Sequence, residues 1–177
     1  MKQSTLKTMI SFILLFVIIV IGNGCNKSDL VASNDLIFTH DNMEREYLLY
    51  IPENLPDNAP LVFVLHGWTQ TNNWAYDNLG FNDIAEQNGF AVCYPQGSIS
   101  NQGTTHWNAR LQVSNTDDIG FLTELAIYLQ TEYNLNSDKT FVCGFSNGGF
   151  MSYTLACEAN DVFKAAAPVA GLMSGYT

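Results

Sequence analysis

Four short apolar runs punctuate the chain, each with a glycine or proline at or near its end: LVFVLHG (61–67), FAVCYP (90–95), TFVCGF (140–145) and the weaker KAAAPVAG (164–171). None alternates apolar and polar residues at a period of two, as a strand with one wet face would. Continuous apolar runs of this length fit strands buried on both faces, the situation in a parallel sheet covered by helices. Between the runs the period becomes helical. FNDIAEQN stops at Gly89, a good C-terminal stop. DDIGFLTELAIYLQTEY brings Leu122, Leu125, Ala126 and Leu129 onto one face and sets Asp117 and Asp118 at the end where the helix dipole favours acids. A third helix is expected from about Asn147 to Glu158. Ahead of the first run, DLIFTHDNMEREYLLYI (35–51) reads as a hairpin turning near His40-Asp41-Asn42, and Pro52 ends it. Hairpin followed by β-α-β-α-β-α-β predicts an α/β domain with a mostly parallel sheet, whose ligands bind beyond the carboxyl ends of the strands.

Composition narrows this picture. With 177 residues and 47% hydrophobic content, the chain can build one domain with a substantial core. Its net charge of −10 argues against a nucleic-acid partner, because displacing counterions from phosphates needs a basic patch. The first residues form a separate segment. Lys2 and Lys7 precede an apolar run from Met9 to Ile21, too short to span a bilayer but suited to the apolar region of a signal peptide. Gly22-Asn23-Gly24-Cys25 follows and resembles a bacterial lipobox, which would lipidate Cys25. The expected organisation is a signal peptide over 1–24, a short tether over 25–34 and a domain over 35–177. Localisation is then exported, with membrane contact only through a lipid anchor at Cys25. Of the other cysteines, Cys93 and Cys143 lie in strand-like runs and read as buried small hydrophobes, while Cys157 is the odd one out. The three histidines, His40, His66 and His106, are too dispersed along the chain to suggest a metal-ligand cluster.

The strongest chemical signal is FVCGFSNGGF (141–150). Gly144-Phe145-Ser146-Asn147-Gly148 matches G-x-S-x-G at the point where a strand becomes a helix. Such a turn holds the serine in a strained conformation with its hydroxyl above the sheet, and the small residues two before and two after let neighbouring backbone pass closely. The N–H of Asn147 then points at a substrate carbonyl oxygen from a helix N-terminus. Far upstream, VLHGWTQ ends a buried strand, and the loop after it is where a second oxyanion donor is expected, at Trp68 or else Thr69. His66 precedes the serine and is read as shaping this loop.

Together REYLLYIP, PLVFVLHG, NGFAVCYPQG, DDIGFLTEL, VCGFSNGGFMSYTLACE and FKAAAPVAG resemble the polyhydroxybutyrate depolymerase/feruloyl esterase-type family of α/β-hydrolases, in order from Arg45 to Gly171. The resemblance implies an α/β-hydrolase fold and serine hydrolysis of carboxylic esters, namely polyester oligomers or feruloylated and acetylated plant polysaccharides, with no cofactor and no metal. It makes Ser146 the nucleophile and Asn147 and Trp68 the oxyanion donors. Asp118 invites assignment as the triad acid, but it lies at a helix start before the serine strand and is read as a helix cap. Trp107, in the polar loop 96–116, is expected either to stack on the acyl or sugar moiety or to pin its own loop.

After Ser146 the sequence contains Glu158 and Asp161 but no histidine. The family places its acid and histidine on loops after two further strands. The expectation is therefore of the N-terminal part of an exported esterase, incomplete at its C-terminal side and feebly active or inactive as written. The alternatives are a surface lipoprotein of hydrolase ancestry that binds glycans without cleaving esters, and a peptidase on the same fold.

Overall fold

The computed structural model describes residues 36–173; the signal segment, Cys25 and the tether lie outside the described residues. The chain opens with a hairpin of β1 (Leu36–His40) and β2 (Met43–Tyr50). Its two-residue turn, Asp41-Asn42, has φ of 49° and 59°, the left-handed pair that matches the twist of antiparallel strands. β3 (Leu61–Leu65), α1 (Asn72–Asn78), α2 (Phe81–Asn88) and β4 (Ala91–Pro95) follow, then a small ribbon of β5 (Ser98–Ile99) and β6 (Thr105–His106). α3 (Asp118–Glu132), β7 (Thr140–Phe145), α4 (Asn147–Glu158) and β8 (Ala165–Val169) complete the order.

The main sheet has six strands in the order β1-β2-β4-β3-β7-β8. β1, β2 and β4 pair antiparallel, whereas β4, β3, β7 and β8 run parallel. Side chains of β3 sort to both faces, which explains its unbroken apolar run. Phe63 and Leu65 join Phe121, Leu122, Leu125, Leu129, Met151 and Leu155 from α3 and α4. Val64 instead meets Ala75 of α1, Ala85 of α2 and Tyr94 of β4. The sheet is therefore the middle of three layers.

All the expected strands and helices form within a few residues of their anticipated limits. Gly89 ends α2 with φ 69° and returns its N–H to the Ala85 carbonyl. α1, the β5–β6 ribbon and a short 3-10 turn at Ser137–Lys139 were not anticipated. α1 is only 7 residues long and largely polar, so it carries no apolar stripe; its one local signal is Thr71, whose side chain caps the Trp74 N–H. Cys93 and Cys143 sit in strands as expected, both thiols held protonated by burial, that of Cys143 pushed up to about 12.

Candidate active site at the strand–helix elbow

β7 turns into α4 at Ser146, whose backbone adopts φ 53° and ψ −114°. A non-glycine residue there costs on the order of 1–3 kcal/mol and persists only where its surroundings enforce it. The enforcement is visible on three sides. The Ser146 N–H bonds to the Val169 carbonyl at 2.8 Å, extending the β7–β8 ladder past the strand end. A Cβ on Gly144 would run into the backbone of Gly148, and one on Gly148 into the carbonyls of Leu65 and His66 at the end of β3. The Asn147 side chain reaches away from the site to clamp Trp107, accepting from its N–H at 2.7 Å and donating to its carbonyl at 3.0 Å. The Ser146 side chain makes no capping bond to α4, and the N–H of Asn147, as the first helical residue, has no acceptor within the helix.

The loop after β3 comes against this elbow: a Cβ on Gly67 would lie 3.3 Å from the Phe145 ring. Within the loop the amides are unequal. Gly67 donates to Gln70 Oε1 at 2.8 Å, Gln70 to the Gly67 carbonyl at 3.2 Å, and Thr69 to the Thr105 carbonyl at 2.9 Å. The Thr69 N–H is thereby spent on a structural bond. Thr69 holds φ 66°, a second strained residue beside the elbow.

His66 is fully buried and its ring is committed. Its Nε2 accepts from the Gly97 N–H at 2.9 Å, so the proton sits on Nδ1, which donates to the Gly67 carbonyl at 2.8 Å. It braces the loop, as its position before the serine implied. Burial lowers its pKa from 6.5 to about 4. Between those values the unfolded chain binds the proton and the folded one does not. The group leaves stability intact above pH 6.5 and withdraws about 3 kcal/mol as the pH falls to 4. Urea midpoints followed from pH 7 down to 4.5 should accordingly fall more steeply for the native protein than for His66→Gln; equal slopes would contradict this assignment.

Trp107 is corrected by its placement. It is fully buried, donates Nε1–H to the His66 carbonyl at 3.0 Å and packs at 5.0 Å against the His66 ring. It offers no open face for a substrate to stack on and pins its own loop instead. Trp107→Ala should cost about 3–5 kcal/mol in chemical denaturation by leaving a large cavity. A loss below 1 kcal/mol would mean that the ring is not packed as described. His106 is likewise committed, Nδ1 to the Ser98 carbonyl at 3.0 Å and Nε2 to Ser114 Oγ at 2.8 Å.

Asp118 is also corrected. The cap of α3 is Asp117, whose Oδ1 accepts from the Gly120 N–H at 2.9 Å. Asp118 is buried and shared: Oδ1 takes Arg45 Nη2 at 2.7 Å and Oδ2 takes the Asn108 N–H at 2.7 Å. Arg45, itself 4% exposed, lies 3.9 Å over the Phe121 ring. Asp118 therefore fastens the loop that carries Trp107 to the hairpin, and neither of its oxygens is available to orient a catalytic histidine. Glu158 is tied to Arg110 by a two-point ion pair across that same loop.

A six-stranded, mostly parallel sheet with a serine elbow between a strand and a helix, braced by the loop of the neighbouring strand, defines an α/β-hydrolase. Residues 81–176 match the prolyl oligopeptidase family, and the chain belongs to it. Acetylxylan esterase A of Talaromyces purpureogenus is 31% identical over 131 residues, covering 72% of this chain and 34% of that protein. Poly(3-hydroxyalkanoate) depolymerase C of Paucimonas lemoignei is 32% identical over 125 residues, covering 69% and 30% respectively. The chain thus spans about a third of the length of these curated relatives. The solved acetyl xylan esterase from Aspergillus awamori shares the fold with a TM-score of 0.60 at 24% identity, over 75% of this chain and 50% of that one.

Proposed function

We propose that the domain is the nucleophile-bearing part of an exported serine carboxylic-ester hydrolase. The observation that carries the reading is the strained Ser146 backbone, φ 53°, enforced from β3, β8 and the Trp107 loop. Strain of this kind, held on a residue whose hydroxyl has no capping duty, is what a serine nucleophile requires. Ser146 Oγ attacks the ester carbonyl carbon and its proton passes to a histidine base. The carbonyl oxygen becomes an oxyanion facing the N–H groups of Asn147 and Trp68. The alcohol leaves with the proton, and water repeats the sequence on the acyl-enzyme. The names of the relatives and the family resemblance favour acetyl, feruloyl or polyester-oligomer esters as substrates. Lipid attachment at Cys25 is the anchoring that the N-terminal segment supports.

The base and acid are expected outside these 177 residues. His66 and His106 have both ring nitrogens committed, and His40 sits at the hairpin turn against Glu124. That same observation favours the second reading, a catalytically inactive chain of hydrolase ancestry. The test is turnover of p-nitrophenyl acetate and of a peptide p-nitroanilide by the full-length gene product. Ester turnover with negligible amide turnover is the expected result. Loss of both would favour the non-catalytic reading, and dominant amide cleavage a peptidase. Residues 26–177 alone should show feeble ester hydrolysis or none.

A further inference from the structure

We infer that His40, Asp41 and Asp117 form a binding site for a zinc-like divalent cation, joining the β1–β2 turn to the start of α3. The ligand atoms of the three residues lie within 4.8 Å of one another. His40 is 7% exposed, and its Nδ1 meets Glu124 Oε2 at 2.8 Å. A carboxylate can only accept there, so Nδ1 carries a proton and Nε2 is the nitrogen turned toward the other two acids. Nε2 is buried and has no hydrogen-bond partner. It faces Asp117 Oδ2 at 3.4 Å and Asp41 Oδ2 at 3.7 Å. These gaps are too wide for charge-assisted hydrogen bonds, which close to about 2.7–2.9 Å. They suit a metal between the atoms, because tetrahedral bonds of about 2.1 Å set neighbouring ligand atoms roughly 3.4 Å apart.

The surroundings fit the same purpose. A carboxylate behind the distal nitrogen of a ligating histidine fixes its tautomer and raises its basicity, and Glu124 holds that position. Gly120 keeps the space open: a Cβ there would collide with Asp117 Oδ2 and come within 2.8 Å of His40 Cε1. Asp117 caps α3 through Oδ1, so Oδ2 remains for a ligand. One imidazole with two carboxylates selects zinc or a neighbouring first-row ion over calcium or magnesium, which prefer oxygen alone. Asp41 is 74% and Asp117 53% exposed, so water can complete the coordination. The cation would act as a clip between the hairpin and α3, whose next residue, Asp118, holds the loop beside the elbow.

The test is thermal unfolding of the EDTA-treated full chain with added ZnCl2, CaCl2 or MgCl2. Zinc at a hundredfold excess over its dissociation constant should raise Tm by about 5 °C or more, and calcium and magnesium should not. The rise should disappear in Asp41→Asn/Asp117→Asn, a pair chosen because asparagine tolerates the left-handed turn and still caps a helix. Cobalt should give visible absorption bands of a low-coordinate site in the native protein and none in the variant. No rise with zinc, an equal rise with calcium, or an equal rise in the variant would each overturn the site.

Discussion

Ser146→Ala in the full-length gene product is expected to remove ester hydrolysis, lowering kcat by on the order of 10⁶-fold, as loss of the nucleophile does where a complete triad operates. Folding should be almost unaffected. The hydroxyl caps no helix, and alanine inherits the same left-handed backbone, so stability should stay within about 1 kcal/mol of the native protein. The same substitution in residues 26–177 should change little, because a hydroxyl without a base remains protonated and is a poor nucleophile. The contrast separates two roles that one position could have. If Ser146→Ala unfolded the protein, the serine would be structural. If the full-length variant kept native turnover, another nucleophile would have to be sought. Stopped assays of p-nitrophenyl acetate hydrolysis paired with urea denaturation read both quantities.

The second large effect concerns stability. Arg45 and Asp118 are 4% and 1% exposed and meet at 2.7 Å, so removing either leaves the other as a buried charge without its partner. Arg45→Ala or Asp118→Ala should each cost about 3–5 kcal/mol, a large part of the 5–15 kcal/mol that holds a typical domain together. The double variant Arg45→Met/Asp118→Leu should recover most of the loss, since taking both charges out of an apolar site removes two desolvation penalties at once. It would not restore the bond from Asp118 Oδ2 to the Asn108 N–H, so the loop around Trp107 should stay more open to proteolysis. Single variants within 1 kcal/mol of the native protein would show that water reaches the pair.

The framework was legible because its central strands, β3 and β4, are buried on both faces; β8, with Ala165, Ala167 and Val169 exposed, gave the weakest run. An apolar run such as LVFVLHG does not need its neighbours to be known before it reads as interior. The elbow was legible because Gly144, Ser146 and Gly148 form a compact pattern where a strand becomes a helix, although the Leu65 and His66 carbonyls that demand Gly148 lie far along the chain. What escaped is what depends on distant chain. Trp107 lies in a polar loop, and nothing in that loop announces that its ring closes over His66. Asp117 and Asp118 are adjacent and identical in type, yet one faces solvent and caps while the other turns inward to Arg45. The clue was present in Arg45 itself, a base two residues before Tyr47 and so on the same inward face of β2, with Glu44 and Glu46 on the other. His40 meets Asp117 and Glu124 only through folding, since both belong to α3 and its cap, far along the chain.

The way the elbow is held has a consequence for descent. Gly144 and Gly148 are fixed by contacts with backbone at the heart of the sheet, and Asn147 by its clamp on Trp107. Selection for a folded chain alone would preserve all three, whereas on the function proposed above only selection for chemistry guards the hydroxyl of Ser146. A lineage that abandoned hydrolysis would therefore keep the glycines and the asparagine while its serine drifted to alanine or glycine. The pattern of substitutions at this one position, among chains that retain the rest of the elbow, would date the loss of the reaction.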